Sequence, residues 1–466
     1  MTVTFLSARE QLAMLRARKI SSIELAEEHI RQIGQWNNAL GAFIEFDAGR
    51  VREQAKRGAS GPLAGLCLSS KATVPIAGYR CEIGSALLRG DVAEQDAEAV
   101  ARLRSAGATL LGTTNCPEFL MAYETDNLLY GKTRNPWSLD HSAGGSSGGE
   151  AAAIAAGMSA GGLGSDSGGS VRVPAHFCGI SALKPTPGRV PGRGHTPPCI
   201  GPFSILGAVG PMARTIGDVA LLFEALAEQD RLDPASPPLS LREMSIESAK
   251  QVRIGWLEED GLTPVTEETR EAVRAAVQSL EAQGFHVEPF RPAALEEARQ
   301  LWWKFFMQCG AMFYAPAIAG RQAELSPIFR EFLHLSGEAP PLTATQLLDA
   351  WAQCDEVRGK LLAEMREYPI LLLPACSVPA FRHGEREWKI DGQPVQYLDA
   401  MRYTQWFNLL AAPAAVVPVS QSRNGLPIGV QIAGRPFEDE LVLTVAGCVD
   451  RAFGYRPPPL VYPAAP

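Results

Sequence analysis

Two glycine-serine clusters, Gly144-Gly145-Ser146-Ser147-Gly148-Gly149 and Ser165-Asp166-Ser167-Gly168-Gly169-Ser170, are the stretches of this chain best suited to chemistry. Gly168 and Gly169 permit backbone angles closed to other residues, so the turn before Ser170 can aim consecutive N–H groups at one point. The oxyanion of a tetrahedral intermediate needs such a fan of donors, and Ser167, Gly168, Gly169 and Ser170 would supply it. Ser170 would then present its hydroxyl beside that fan as a nucleophile.

A serine hydroxyl attacks only after a base takes its proton. Of the seven histidines, His141 and His176 stand near the clusters, yet neither falls in a triad pattern, and both read as structural. Lys71 is the better base. It follows the apolar run LAGLCLSS (63–70) and precedes ATVPIAG (72–78), which places its amine in poorly solvated surroundings where the neutral form is favoured. Taken alone, Lys71 would read as a solvated lysine at a strand end; the whole constellation recasts it. Ser146 can join base and nucleophile, because a hydroxyl both donates and accepts. Its other reading, a helix N-cap before EAAAIAAG, is shared with Ser147. A rival serine chemistry is formally present: Gly145-Ser146-Ser147-Gly148-Gly149 satisfies G-x-S-x-G with Ser147 as nucleophile. That elbow needs a strand directly before it, and NPWSLDHSAG (135–144) reads as turns.

The surrounding elements must place these groups together. Residues 7–57 read as two amphipathic helices, with Ser21, Ser22 and Glu24 as a capping signal. PLAGLCLSSKATVPIAG (62–78) holds a strand ending around Lys71, and DAEAVARLRSAGATLLGTTN (96–115) is a helix followed by a β-rich run. The Ala-rich EAAAIAAGMSA between the glycine clusters argues for a buried helix rather than a Gly/Ser linker. VRIGWL, VTEETREAVRAAVQSLEAQG and FHVEPF make a further strand, helix and strand within 249–290, the helix ending at a Gly stop. Residues 291–365 are helical and aromatic-rich; LWWKFFMQCGAMFY (301–314) reads first as packed core and second as a substrate wall. PILLLPA, AAVVPVS and PIGVQIAG return to strands. No internal repeat is evident. This rhythm predicts a single α/β/α domain on a mixed sheet, with one helical insert.

Composition narrows the class. The 466 residues are 46% hydrophobic and 20% charged, ordinary for a globular protein, and the net charge of −8 argues against nucleic acid or an anionic membrane as partner. No run approaches the roughly 20 apolar residues of a membrane span, and the N-terminus lacks the order of a signal peptide. Nine cysteines, with no CxxC pair, point to reduced thiols and a cytoplasmic location.

The stretch GGSSGGEAAAIAAGMSAGGLGSDSGGSVRVPAHFCGISALKPTPGRV (144–190) closely resembles the signature of the amidase signature family. SSIELAEEHIRQIGQWNNALGAFI, DAEAVARLRSAGATLLGTTNCPEF, YGKTRNPW, GPMARTIGDVALLFEAL and GLPIGVQIAGRPFEDELVL are similar to its other landmarks. The resemblance implies one amidase domain over 1–466, with a large mixed β-sheet flanked by helices, a catalytic core at 60–230 and a variable, helical, substrate-shaping region at 291–400. It implies Ser170 as nucleophile, Ser146 as a serine with a cis peptide bond, Lys71 as base, and N–H donors from Ser167, Gly168, Gly169 and Ser170, without metal or cofactor. Leu120 aligns with a pocket-wall position. The implied reaction is hydrolysis of a small neutral carboxamide through an acyl-enzyme, with carbamates, ureas and esters still open. The implied partner is thus a small-molecule amide, and a homodimer is a common assembly for such an enzyme. Two alternatives share the pattern: a glutaminase subunit of a tRNA-dependent amidotransferase, and an inert member that only binds. Three positions depart from the family. Ala72 stands for the usual Asp after the lysine, Thr113 for a frequent Lys, and Ala411 or Ala412 for a Gly before Leu-Pro.

Overall fold

In the computed structural model, which describes residues 2–58, 60–338 and 340–462, one eleven-stranded sheet takes its strands from almost the whole chain. The two extremities of the expected 1–466 domain lie outside the described residues. The strands are β1 (Phe43–Phe46), β2 (Cys67–Lys71), β3 (Thr109–Thr114), β4 (Gly161–Asp166), β5 (Ser181–Lys184), β6 (Ala208–Ala213), β7 (Arg253–Trp256), β8 (His286–Pro289), β9 (Ile370–Pro374), β10 (Ala414–Gln421) and β11 (Pro427–Gly434). Their order is β1-β3-β2-β4-β6-β5-β10-β11-β9-β7-β8. β3, β2 and β4 run parallel, as do β9, β7 and β8, and the remaining pairings are antiparallel.

Helices cover both faces, so the central strands lack an exposed side and read as unbroken runs of apolar or small residues. Leu68 and Leu110 point into one core, beneath helices Glu98–Ser105 and Ile216–Leu226. Their neighbours Cys67 and Leu111 point into another, beneath Ser22–Leu40 and Gly148–Ala155. The expected mixed α/β/α architecture is therefore present. Ser21 caps its helix with Glu24 in a reciprocal box, as its sequence foretells.

Three local readings change. The N-terminal segment holds three helices, Ala8–Arg16, Ser22–Leu40 and Ala48–Lys56, with the edge strand β1 inserted among them. The stretch read as turns before the first glycine cluster contains a small ladder, Arg134–Asn135 against Ser138–Ser142, apart from the main sheet. Residues 295–338 and 340–364 form the expected helical insert, interrupted by a π-helical turn at Lys304–Gln308. The region expected to be helical as far as 400 turns to strand beyond it, in β9 and in a two-stranded ladder, Glu387–Ile390 against Gln393–Gln396. Among the described residues no helix is long and apolar enough to cross a membrane, and no group of three or more His, Cys, Asp or Glu is placed to hold a metal ion.

Candidate active site

Lys71 ends β2 because the apolar residues before it draw the strand through the core, leaving the lysine wholly buried. The parallel pairing of Ser69 with Gly162 brings the far end of β4 alongside that amine. Lys71 Nζ donates to Ser146 Oγ at 2.7 Å and to Ser165 Oγ at 3.1 Å. Burial pushes its pKa down to about 8, while Cys116, Asp166 and Glu150 pull the other way. The desolvation read from the flanking sequence is thus present, though a value near 8 leaves only about a tenth of the amine neutral at pH 7.

Ser146 lies in the loop between the small ladder and the helix Gly148–Ala155, and its peptide bond to Gly145 is cis. Gly145 is needed there: a Cβ would come within 2.6 Å of the Ala122 carbonyl oxygen. Ser147 occupies the N-cap position, but its side chain makes no capping bond and stays fully buried against Ser165. It is not the exposed elbow nucleophile that G-x-S-x-G would require.

The second cluster turns sharply after β4. The Ser147 N–H donates to the Ser170 carbonyl at 3.1 Å, so the two clusters touch through their backbones. Ser146 and Ser170 border one cavity; among the described residues no hydrogen bond joins their two hydroxyls. Asp166 organises the turn. It accepts from the N–H groups of Gly169 at 2.7 Å and Val171 at 3.0 Å. Burial would raise its pKa, but Arg172 beside it holds the carboxyl well below the usual range. The Gly169 N–H is therefore engaged inward. No protein acceptor among the described residues meets the N–H groups of Ser167, Gly168 and Ser170, and of the four expected donors these three are the ones left to a ligand.

The carbonyls of the turn are held too. Trp302 Nε1 donates to Ser167 O at 2.8 Å, while Tyr123 Oη and Thr404 Oγ1 donate to Gly168 O at 2.8 and 2.7 Å. Trp302 stacks on Phe306 with ring centroids 4.7 Å apart, and both line a cavity, so part of 301–314 is wall as well as core. Leu120 lines that cavity and its neighbour.

His141 pairs with Ser138, and the buried His176 bridges Gly429 and Val378, so both are structural. Sequence reasoning missed Ser165, Asp166, Arg172 and Glu150. Glu150, wholly buried on the helix after Ser146, accepts from Ser69 Oγ at 2.6 Å and Thr114 Oγ1 at 2.8 Å. Burial lifts its carboxyl to about 7. The signal available was a charged residue inside an otherwise apolar or Gly/Ser stretch. Of the departures, Ala72 and Thr113 are both buried, and the Thr113 hydroxyl has no partner.

A family model described as Amidase matches residues 24–443. The chain is 34% identical over 480 residues to a glutamyl-tRNA(Gln) amidotransferase subunit of Thermus thermophilus, covering 96% of this chain and 97% of that protein. It is 32% identical over 462 residues to an acylamidase of Rhodococcus erythropolis, with 95% and 94% covered. The solved structure of a 6-aminohexanoate cyclic dimer hydrolase complexed with substrate superposes with a TM-score of 0.87 at 28% identity, over 98% of this chain and 100% of that one.

Proposed function

The chain belongs to the amidase family and is an amidohydrolase of C–N bonds, and on that footing we propose that it cleaves a small carboxamide through an acyl-enzyme on Ser170. Lys71 is the base and Ser146 the proton relay. The observation that supports this is the 2.7 Å bond from a buried, pKa-lowered Lys71 amine to the Ser146 hydroxyl, in a cavity that Ser170 also borders.

Neutral Lys71 takes the Ser146 proton as Ser146 takes that of Ser170. The two serine hydroxyls must meet across the shared cavity when substrate is bound, as catalytic hydrogen bonds commonly tighten in the Michaelis complex. Ser170 Oγ then attacks the carbonyl carbon. The N–H groups of Ser167, Gly168 and Ser170, which meet no protein acceptor among the described residues, receive the oxyanion, and Asp166 keeps the turn in shape by accepting from the Gly169 N–H. The proton returns through Ser146 to the leaving nitrogen, and water hydrolyses the acyl-enzyme over the same groups.

Replacing Ser170 with Ala should abolish turnover without unfolding the protein, and a fluorophosphonate should label Ser170 alone. Substantial kcat in Ser170→Ala removes Ser170 from this role. Failure to label Ser170 in the wild type favours the inert, binding-only reading.

The amidotransferase relatives keep a second reading in view, in which the chain releases ammonia from glutamine. The site's chemistry argues against it. Free glutamine carries two opposite charges, whereas Glu331 is the charged side chain among the described cavity-lining residues, and it already pairs with Arg386 at 2.9 Å. Glutamine hydrolysis outpacing that of apolar amides would reverse this choice.

A further inference from the structure

Two cavities meet at Ser170, and Leu120, Met121 and Phe306 border both. The partition is built on unusual backbone. Phe119 and Leu120 take consecutive positive φ angles of +50° and +70°, a conformation that bulky residues adopt only where their surroundings impose it. The Phe119 ring is pinned 4.8 Å from Tyr314 and 5.0 Å from Phe329, which fixes Leu120 and Met121 at the junction.

The two chambers differ in what they offer the reaction. The first passes Gly168 and runs between Trp302, Ile328, Phe332 and Leu335. The second is lined by Ser146 and by Pro197, Pro198, Phe203, Phe313 and Tyr314. Ser146 borders the second chamber and not the first. A tetrahedral centre on Ser170 must turn its departing nitrogen toward the group that returns the proton, so the amine side of the substrate faces the second chamber and the acyl side the first.

We infer that the preferred substrate is a secondary carboxamide, R–CO–NH–R′, with an apolar acyl arm R in the first chamber and a flat aromatic amine arm R′ in the second. This rests on the acyl-enzyme reading above. Ser170 Oγ bonds the carbonyl carbon, the C–N bond breaks, and the proton held by Ser146 passes to nitrogen, so R′NH2 leaves from the second chamber. Water then adds to the acyl ester, releasing RCO2H and restoring the Ser170 hydroxyl. A primary carboxamide would use the first chamber and leave the second unfilled.

The test uses the full chain and a panel crossing acyl length with amine type: octananilide, acetanilide, N-methyloctanamide and octanamide. Wild type should favour octananilide over octanamide in kcat/KM by roughly tenfold or more, the discrimination expected when a whole apolar group finds its pocket. Leu335→Trp, which narrows the first chamber, should lower octananilide relative to acetanilide by roughly tenfold and leave the anilide-to-N-methyl ratio as it was. Phe313→Ala, at a ring already 41% exposed, should do the reverse. Equal turnover of octanamide and octananilide by wild type, or variants that act on the opposite arms, overturns the assignment. Ser170→Ala run on the same panel separates the two levels. If it is inactive while the ratios fail, the chamber assignment alone falls; if it stays active, the acyl-enzyme reading falls with it.

Discussion

Arg172 holds Asp166 through two hydrogen bonds, Nη2 to Oδ1 at 2.9 Å and Nε to Oδ2 at 3.0 Å, with neither side chain exposed. The same guanidinium donates to Thr404 O at 2.8 Å and Gln431 Oε1 at 2.6 Å. The turn that ends in Ser170 is thereby tied to helix Arg402–Leu409 and to β11. Breaking a buried pair from one side strands a charge, at a cost of about 3–5 kcal/mol. Arg172→Met and Asp166→Asn are each expected to lose stability on that scale in denaturant unfolding, and kcat with it as the turn drifts. If both variants lose less than about 1 kcal/mol, the pair does not organise the site.

Ser146→Ala removes the proposed proton relay and keeps the proposed nucleophile. A positioned proton-transfer group contributes about 10²–10⁴-fold, so kcat should fall within that range while KM changes little. Fluorophosphonate labelling of Ser170 should slow in parallel. A drop smaller than about tenfold would mean that Ser170 reaches a base by another path.

How much of this was legible beforehand depended on distance along the chain. Lys71, Ser146 and Ser170 stood out because glycine clusters and an apolar-flanked lysine are local patterns. Asp166 and Arg172 were equally visible as letters, yet what makes them matter is Thr404, Asn408 and Gln431, more than two hundred residues away. β1 escaped notice because four residues at a sheet edge, only one of them buried, carry little hydrophobic period. In 301–314 the pattern fitted core and wall alike, and the π-helical turn decides between them: Phe305 packs against Trp351 while Phe306 and Met307 face a cavity. The degree to which Lys71 is desolvated is a tertiary quantity, and no flanking sequence reports it.

Ala411 identifies which of two alanines stands where the family resemblance places a glycine. It carries φ +52°, and Ala412 has no such angle. An alanine there has its Cβ crowding its own backbone, which costs on the order of 1–3 kcal/mol, against the roughly 0.5–1 kcal/mol of extra chain entropy that glycine loses. Ala411→Gly should therefore stabilise by about 1 kcal/mol, read as a higher denaturant midpoint with unchanged slope. A lower midpoint would show that the methyl group's packing outweighs the strain.

The pH dependence of kcat/KM should report the Lys71 amine. Protonated below its pKa, the amine is no base; deprotonated above it, it can draw on Ser146. The rate is therefore expected to rise with pH through about 8 and level off above, rather than peak near neutrality. Glu150 adds a second, signed test. Its carboxyl titrates near 7, so through the rising limb it is largely ionised, and its negative charge favours the protonated lysine. Glu150→Gln removes that charge, and the Gln side chain can still meet the hydroxyls of Ser69 and Thr114. The rising limb should then move to lower pH, and the variant should gain on wild type in relative rate near pH 7. Because the two groups interact, the midpoints belong to the pair and the direction of the shift is the readout. A limb that stays in place, or moves to higher pH, would show that the titrating base is not the lysine beside Ser146.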